Sequence, residues 1–546
     1  MSLGVIVTAL SLFTAACGDD KKESGGGETK DVGTSDAKDL KRGGTLTMAL
    51  EAESTGGWCL PSGQLAVSGI MVHNAIYDPL VAYDENYVPQ PYLAESITPN
   101  ADFTEWTFKL RPGVKFHDGT DLTADIVKQN IDLAWGEPDL VAKTGISPVL
   151  FRIVYNTILG TTAVDPLTVS VQMKSSWPTY LSFLAGGRNG IMGQKQIDAG
   201  KDGCKDTLVG TGPFKLEKPE DWVRNQQMTL QKNADYWRMG ADGQKLPYLD
   251  TLIFKPIEGG ENRYSALEAG SIDAGHFSTA SIFAQIQAQS DKFDLTKEVE
   301  GHKEVGYGLV DVSQPPFDNQ EVRLAMGQAI DRDALNLVSN DGEFEIANQP
   351  FDTKTLGYVD GLEGPKYDPD AAAAFFQGKN IAFPLTYASD PNTKLLAEEI
   401  KRQLGEVGVD VTIAETDQSS LITKALGGGF GVLLWRNHPG ADPDTQTSWW
   451  RSGYLTNFGR INDPELDRLL DTGRIETDPA KRKEIYQGIS QLFAEKGYNL
   501  WNWYTEWAVG SDKKVKQLGY NTLPDGSKGT GLNWGWTYLT EVWLDQ

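Results

Sequence analysis

Alternating apolar and polar residues predict half-buried strands in the first part of the chain. Residues 45–50 have this pattern, and Trp106, Phe108 and Leu110 repeat it with a polar residue after each. Thr123 precedes apolar residues at helical spacing and is therefore predicted to cap a helix. The chain thus mixes strands and helices, which favours an α/β fold.

The segment 381–436 gives the most specific prediction of topology. Apolar runs alternate there with helical patterns, in the order strand 382–387, helix 393–407, strand 409–413, helix 419–426 and strand 431–435. Two successive βαβ units predict a parallel sheet with right-handed crossovers. Because ligands bind beyond the carboxyl ends of such strands, the loops 389–391 and 436–442 are predicted to face a ligand.

The first 42 residues have the pattern of an exported lipoprotein. An apolar run over residues 3–13 is too short to span a bilayer and leads through small residues to Cys17. A cysteine at that point resembles a bacterial lipobox, whose thiol receives a lipid; a buried cysteine after a short core helix is the alternative. We therefore predict a signal peptide with lipobox over 1–17 and a disordered tether over 18–42. The protein is then lipid-anchored on the outer face of the bacterial cytoplasmic membrane.

Charge and composition limit the partners of the protein. The 546 residues carry 50 Lys and Arg against 75 Asp and Glu, and the formal charge of −25 argues against nucleic acid or an anionic lipid surface. The lipid anchor is thus the only membrane contact that we expect. The five histidines have no metal-ligand spacing, so neither a metal site nor a cofactor is predicted.

Two cysteines remain once Cys17 carries a lipid, namely Cys59 and Cys204. The compartment outside the cytoplasmic membrane is oxidising, and a disulfide between these two residues is therefore predicted. Two unpaired buried thiols are the alternative.

A series of short motifs after Gly43 occurs in a specific order and spacing. The motifs are Tyr77-Asp78-Pro79-Leu80-Val81, Pro91-Tyr92-Leu93-Ala94-Glu95-Ser96, Trp106 to Arg111, Gly113-Val114-Lys115-Phe116-His117-Asp118-Gly119, Gly210-Thr211-Gly212-Pro213-Phe214, Asn233-Ala234-Asp235-Tyr236-Trp237, Ala269-Gly270-Ser271-Ile272-Asp273, Pro316-Phe317-Asp318-Asn319, Ala329-Ile330-Asp331-Arg332 and Tyr367-Asp368-Pro369. Together they resemble the family 5 extracellular solute-binding proteins, which are the peptide-, nickel- and oligosaccharide-binding receptors of ABC importers.

The resemblance implies an α/β, two-lobed periplasmic-binding-protein-like fold of type II, with an extra domain and a hinge between the lobes. The implied segments are 43–76 (lobe one, first segment), 77–208 (extra domain attached to lobe one), 209–300 (lobe one, second segment), 301–496 (lobe two) and 497–546 (lobe one, closing segment). A ligand that contacts both lobes favours the closed form. The implied partners are a small solute and the transmembrane subunits of an ABC permease, and a monomer is expected.

The loop after the last predicted strand holds most candidate ligand residues. In peptide-binding members, an aspartate between a tryptophan and an acidic-Pro motif holds the amino group of the ligand. Here the tryptophan is Trp435 and the motif begins at Asp442, with Arg436, Asn437 and His438 between them. No carboxylate stands in the place of the aspartate, which weighs against a dipeptide ligand. Asp442 in a shifted loop is one alternative partner for an amine, and Arg436 is predicted to pair with a ligand carboxylate or with Asp442.

Aromatic residues supply the other candidate ligand contacts. Strand alternation places Trp501 and Trp503 on one face, and little local sequence could bury Trp58, which lies in a glycine loop. Flat aromatic faces suit a neutral oligosaccharide and equally suit apolar peptide side chains. Oligopeptide and oligosaccharide therefore both stay open, with a nickel chelate as a third option. For each tryptophan, burial in the core is the alternative.

These observations predict a non-enzymatic receptor that delivers a solute to a permease. A surface-tethered glycoside hydrolase is the rival class, because such enzymes also use aromatic clefts and paired carboxylates. No motif here places two carboxylates together, and no Gly-x-Ser-x-Gly or His-Glu-x-x-His motif occurs. A third possibility is a sensor that presents its ligand to a membrane receptor.

Overall fold

The computed structural model describes residues 39–546 except 55, 64, 149, 390 and 439, and it leaves the side chains of residues 391, 392, 418 and 419 undescribed. The predicted lipidation site at Cys17 and the predicted signal peptide lie outside the described residues. Within the described part, no helix has both the length and the apolar character that crossing a membrane requires.

The strands follow each other along the whole described chain. In chain order they are β1 (Thr45–Leu50), β2 (Val81–Tyr83), β3 (Pro89–Pro91), β4 (Ala94–Pro99), β5 (Glu105–Leu110), β6 (Ile158–Asp165), β7 (Thr168–Met173), β8 (Phe214–Lys215), β9 (Trp222–Val223), β10 (Gln227–Lys232), β11 (Thr251–Pro256), β12 (Ala274–Phe277), β13 (Phe293–Lys297), β14 (Glu304–Val310), β15 (Ala382–Ala388), β16 (Asp410–Thr416), β17 (Val432–Asn437), β18 (Asn499–Thr505), β19 (Ala508–Asp512), β20 (Val515–Lys516) and β21 (Trp543–Leu544).

The helices lie between these strands. In chain order they are α1 (Val67–Ile76), α2 (Ala124–Trp135), α3 (Pro138–Thr144), α4 (Phe151–Val154), α5 (Tyr180–Leu184), α6 (Gln194–Gly203), α7 (Gly260–Glu268), α8 (Ala280–Ala288), α9 (Gln320–Ala329), α10 (Arg332–Asn340), α11 (Pro369–Phe376), α12 (Pro391–Glu406), α13 (Gln418–Gly427), α14 (Thr447–Trp450), α15 (Pro464–Ile475) and α16 (Pro479–Lys496), with short 3-10 turns at Leu60–Ser62, Pro219–Asp221 and Pro443–Gln446.

Lobe one is built on an eight-stranded sheet with the order β13-β19-β12-β1-β11-β10-β8, in which β9 pairs with β10. The three central strands β12, β1 and β11 are parallel, and the strands outside them run antiparallel to their neighbours. Leu46, Met48 and Leu50 of β1 are buried in the same hydrophobic cluster. The alternation predicted for residues 45–50 is confirmed as a strand with these bounds.

Lobe two is built on a five-stranded sheet with the order β16-β15-β17-β14-β18. Strands β15, β16 and β17 are parallel, and helices α12 and α13 connect them, so the predicted pair of βαβ units is confirmed. Strand β14 runs antiparallel to β17 and to β18. Because β18 pairs in this sheet, the chain returns to the first sheet only at β19, later than the boundary expected at residue 497.

The extra domain is an antiparallel sheet with the order β4-β5-β7-β6, packed against α2. Strand β5 contains the predicted run from Trp106 to Leu110. Helix α2 begins after Thr123, whose side-chain oxygen accepts a hydrogen bond from the backbone N–H of Ile126 at 3.4 Å, as its position predicted. Such a cap pairs one of the N–H groups that a helix start leaves free.

Two short segments join the lobes, 298–303 after β13 and 506–507 before β19. The backbone N–H of Glu298 donates to the carbonyl of Trp507 at 3.0 Å, and the N–H of Trp507 donates to the Glu298 carboxylate at 2.9 Å. The indole N–H of Trp507 donates to the carboxylate of Glu304 at 3.0 Å. The two connections are thus tied to each other where the lobes meet.

A disulfide joins Cys59 and Cys204, whose Cα atoms lie 5.0 Å apart and which are 145 residues apart in sequence. It links the loop after β1 to the end of α6, the last helix of the extra domain. Closing a long loop removes conformational freedom from the unfolded chain.

The double variant C59A/C204A is therefore expected to lose about 2–4 kcal/mol of unfolding free energy in urea titrations. Wild-type protein unfolded in the presence of a reductant should match the variant. Equal urea midpoints for the oxidised wild type and the variant would contradict a stabilising bridge.

Candidate functional site

A cavity of about 500 Å³ lies where the carboxyl ends of the parallel strands of both sheets meet. Its volume is within the range of small-molecule sites. The first sheet contributes the residues that follow β1, β11 and β12, and the second sheet those that end or follow β15, β16 and β17. These residues are Glu51 and Ala52, Glu258 and Gly259, Ser278 and Thr279, Ala388 and Ser389, Asp417, and Arg436 to His438.

Arg436 connects the two lobes at the centre of the cavity. One terminal nitrogen lies 3.2 Å from a carboxylate oxygen of Glu51, and the other donates to the hydroxyl of Ser278 at 3.2 Å. Its Nε lies 3.8 Å from Glu304, and its guanidinium carbon lies 5.0 Å from the ring centre of Trp507. Arg436 extends from the second sheet and Glu51 from the first, so this contact holds the lobes together.

The two carboxylates beside Arg436 differ in acidity. Burial opposes the ionisation of Glu51, but the positive charges of Arg436 and Arg263 outweigh it and lower the pKa of Glu51. For Glu304 burial is the stronger effect, and its pKa lies above the ordinary value although Arg436 and the indole of Trp507 favour the charged form. The neighbours of Glu304 thus balance its negative charge only in part. An additional cation beside Glu304 would therefore be stabilised by this carboxylate.

Arg188 is a cavity cation that forms no ion pair within the described part of the chain, although the charge of Glu304 partly stabilises it. Its Nε donates to the carbonyl of Leu65 at 2.8 Å, and its guanidinium lies over the ring of Trp534 at 5.1 Å. Among the described residues, no carboxylate oxygen lies within 4.0 Å of its nitrogens, and its two terminal nitrogens have no hydrogen-bond partner. Burial lowers the pKa of Arg188 to about 10.

Aromatic residues also line the cavity. In lobe two, Trp435 and Trp449 each pack against Phe458 with ring centres 5.5 Å apart. From the extra domain, Phe151 and Phe183 line the same cavity. The cavity therefore suits a ligand that carries both charged and apolar groups.

Five of the predicted ligand residues line the cavity, namely Trp435, Arg436, Asn437, His438 and Trp503. Asn437 donates to the side-chain oxygen of Gln446 at 2.7 Å. The ring of His438 stacks on Trp534 at 4.8 Å, and burial keeps its pKa well below the ordinary value, so it is neutral. Direct contact of these side chains with a ligand stays a prediction.

Trp58, predicted to reach the cleft, is instead fully buried in the hydrophobic core of lobe one and the extra domain. Its ring packs edge-on against Trp222, with ring centres 6.2 Å apart. Trp222 is distant in sequence, which explains why the local glycine-rich loop gave no sign of burial. Trp58 is thus not among the residues that line the cavity.

Asp442 and Trp501 also lie outside the cavity lining. Both carboxylate oxygens of Asp442 accept hydrogen bonds from Arg482, at 2.8 and 2.9 Å, so Asp442 pairs with Arg482 rather than with Arg436. Trp501 packs on Tyr307 and Phe493 in the core of lobe two. A β-bulge in β18 adds one residue opposite β14, which breaks the alternation that placed Trp501 and Trp503 on one face.

The sequence prediction missed Arg188, Glu51 and Glu304. Arg188 stands in the run Gly186-Gly187-Arg188-Asn189-Gly190, and a single arginine among glycines was the available signal. Within the part of the chain that the structure describes, no group of three or more His, Cys, Asp or Glu side chains is arranged to hold a metal ion.

Comparisons with known proteins agree with this architecture. The family model of the bacterial extracellular solute-binding proteins, family 5 Middle, matches residues 88–458. The glutathione-binding protein GsiB of Pectobacterium atrosepticum is 27% identical over 475 residues, which cover 83% of this chain and 87% of the relative. AgaA of A. tumefaciens R10, solved with agropinic acid, has a TM-score of 0.80, covers 92% of this chain and 99% of its own, and is 24% identical. DppA from Helicobacter pylori, solved with the peptide STSA, has a TM-score of 0.80, covers 93% and 99%, and is 20% identical.

The chain therefore belongs to the bacterial extracellular solute-binding proteins of family 5. The predicted two-lobed, periplasmic-binding-protein-like α/β fold is confirmed by the fold of these solved structures. The predicted class of function, a solute-binding protein of an ABC importer, is confirmed as well.

Proposed function

We propose that this protein captures a short peptide, or a related amino-acid derivative, that carries a free carboxylate, and delivers it to the transmembrane permease of an ABC importer. The observation that carries the choice of ligand is Arg188. A buried cation that forms no direct ion pair is costly. A ligand carboxylate would supply that pair through two parallel hydrogen bonds from the terminal nitrogens.

The carboxylates of the cavity support a ligand that also carries an amine. Glu304 is our candidate partner for a ligand ammonium, because burial raises its pKa and Arg436 approaches it only to 3.8 Å. Asp442, the residue considered for this role from the sequence, is already paired with Arg482. A zwitterionic ligand would thus place one charged group at Arg188 and the other at Glu304.

The aromatic residues of the cavity are compatible with apolar side chains on such a ligand. They would also accommodate the faces of a neutral oligosaccharide, which was the alternative expected from the tryptophan content. A neutral sugar, however, leaves Arg188 without an ion-pair partner. A neutral oligosaccharide is therefore our second candidate ligand, and the binding experiment below includes it.

Calorimetric titration of the domain from Gly43 with tripeptides tests the proposal. Free-acid tripeptides are expected to bind, and the same peptides with an amidated C-terminus should bind about 10- to 100-fold more weakly, because the hydrogen bonds to a charged acceptor are lost. Neutral oligosaccharides and N-acetylated tripeptides complete the panel. Binding of an oligosaccharide with no binding of any free-acid peptide would contradict the proposed ligand class.

The same mixtures, analysed by mass spectrometry after incubation, test the rival hydrolase. Intact peptides and oligosaccharides are expected. Cleavage products that disappear when Glu51 or Glu304 is replaced by glutamine would show an enzymatic function instead.

The remaining proposals concern the chain outside the cavity. We propose that Cys17 carries a lipid, and the mass of the mature N-terminal peptide tests this. We also propose that the protein is a monomer on the outer face of the cytoplasmic membrane. We assign 77–208 to the extra domain, and lobe two begins at about residue 301. A sensor role would require that uptake of the ligand continues when the partner permease is deleted.

A further inference from the structure

A small side chamber opens from the main cavity toward the extra domain. Its volume is about 40 Å³, measured in the same way as the main cavity. This is about three times the space that one water molecule occupies in such a measure. Six residues line both spaces and so mark the opening between them, namely Leu60, Pro61, Phe151, Tyr155, Arg188 and Asn189.

The walls of the side chamber are mainly aliphatic. They include Leu80, Ile131, Ala134 and Ile158, together with Leu184 and Ile191 from the segment around Arg188. The loop at Leu60 is held against the extra domain by the neighbouring disulfide of Cys59. Apolar walls of this kind favour an apolar occupant over water.

Two amides in the chamber wall are already engaged. The amide of Asn130 donates to the carbonyls of Ile126 and Met192 and accepts from the N–H of Met192. The amide of Asn189 accepts from the hydroxyl of Tyr155 at 2.6 Å and donates to the carbonyl of Phe183 at 2.7 Å. The hydroxyl of Tyr180 is buried and has no hydrogen-bond partner among the described residues. Apart from this hydroxyl and Arg188 at the opening, water confined in the chamber would find few hydrogen-bond partners.

We propose that the side chamber is a specificity pocket for the side chain next to the carboxylate of the ligand, and that this side chain is short and aliphatic. Arg188 stands at the opening, so a carboxylate bound there brings the adjoining carbon to the chamber. A group of one to about four carbons fits the space, whereas a phenyl ring or a lysine side chain does not. This inference rests on the proposed function and narrows it to peptides that end in a residue such as alanine or valine.

A series of free-acid tripeptides, Ala-Ala-Gly, Ala-Ala-Ala, Ala-Ala-Val, Ala-Ala-Phe and Ala-Ala-Lys, tests the pocket by calorimetric titration. The affinity is expected to rise about fourfold for each buried carbon from glycine to valine, because each methylene leaves water for an apolar site. Phenylalanine and lysine at the last position should bind more weakly than valine, since neither side chain can enter.

The variant A134L fills the chamber from helix α2 with a residue that favours helices. In this variant the affinity for Ala-Ala-Val should fall to that for Ala-Ala-Gly. The matched control is A142L, the same substitution on the exposed surface of the adjacent helix α3, which should leave the wild-type order of affinities unchanged.

The outcomes separate this inference from the proposed function. Equal affinities for the glycine, alanine and valine peptides, or tighter binding of the phenylalanine peptide, would overturn the specificity pocket while the carboxylate-binding role of Arg188 stood. Failure of every free-acid peptide to bind would overturn the proposed ligand class and this inference with it. The series on wild-type protein decides the question even if A134L does not fold.

Discussion

Replacing Asp444 with alanine is expected to lower the free energy of unfolding by about 3–5 kcal/mol. Asp444 is fully buried, and one of its oxygens lies 2.8 Å from Nε of Arg474, whose side chain is only 9% exposed. Burial opposes the ionisation of Asp444, but Arg474 and several hydrogen bonds keep its pKa below the ordinary value. The D444A variant would leave the buried guanidinium of Arg474 without a counter-charge. This uncompensated buried charge is the main reason for the expected loss of stability.

The same carboxylate also connects lobe two to the extra domain. Its second oxygen accepts hydrogen bonds from the indole of Trp177 at 2.9 Å and from the hydroxyl of Thr179 at 2.6 Å. Both donors precede α5 of the extra domain, and opening of the lobes would break these bonds. The loss of Asp444 should therefore weaken the closed form as well as the folded state.

Urea unfolding of the ligand-free protein measures the effect on stability. The control is E406A, which removes an exposed carboxylate 2.6 Å from Arg402 and should change the unfolding free energy by no more than about 0.5 kcal/mol. The variant T179V keeps the buried ion pair and removes one hydroxyl donor, so it should mainly lower ligand affinity by depopulating the closed form. A D444A protein as stable as E406A would show that the pair contributes nothing.

The strands and helices that carry the site could be predicted from the sequence because they depend on local patterns. Strand β17 begins with four apolar residues, apolar residues recur along β15 and β16, and helices α12 and α13 separate the three strands. Once these strands are parallel, the position of their carboxyl ends follows, and with it the place of Arg436 in the cavity.

The contents of the site were harder to predict because they depend on distant partners. Asp442 was considered as an amine partner, but it pairs with Arg482, forty residues later on helix α16. The burial of Trp58 depends on Trp222, and the separation of Trp501 from Trp503 depends on a bulge opposite β14. None of these contacts leaves a signal in the neighbouring sequence. The strands and helices could be predicted because hydrophobic periodicity is a local pattern.

Replacing Arg188 with methionine is expected to weaken binding of a free-acid peptide by about 30-fold to several thousandfold, or about 2–5 kcal/mol. The ligand carboxylate would lose its partner inside a cavity that excludes most water. R188K should retain part of the affinity, because it keeps the charge but loses the two-pronged geometry of the guanidinium. The matched control is R224M, which removes an exposed arginine that lies over the ring of Trp222 and should bind peptides as the wild type does.

The stability of the ligand-free R188M variant separates a binding role from a structural one. In the folded protein the pKa of Arg188 is lowered to about 10, below the ordinary value of 12.5 that applies to the unfolded chain. At neutral pH the charged side chain therefore destabilises the folded state, and this cost is greatest below pH 10, where the folded protein must hold the charge. R188M should be at least as stable as the wild type in urea, apart from the hydrogen bond that Arg188 donates to Leu65. A large loss of stability in R188M would mean that Arg188 has a structural role and would contradict the proposed binding role. Loss of affinity with retained stability is the result that we expect for a cation whose partner is the ligand.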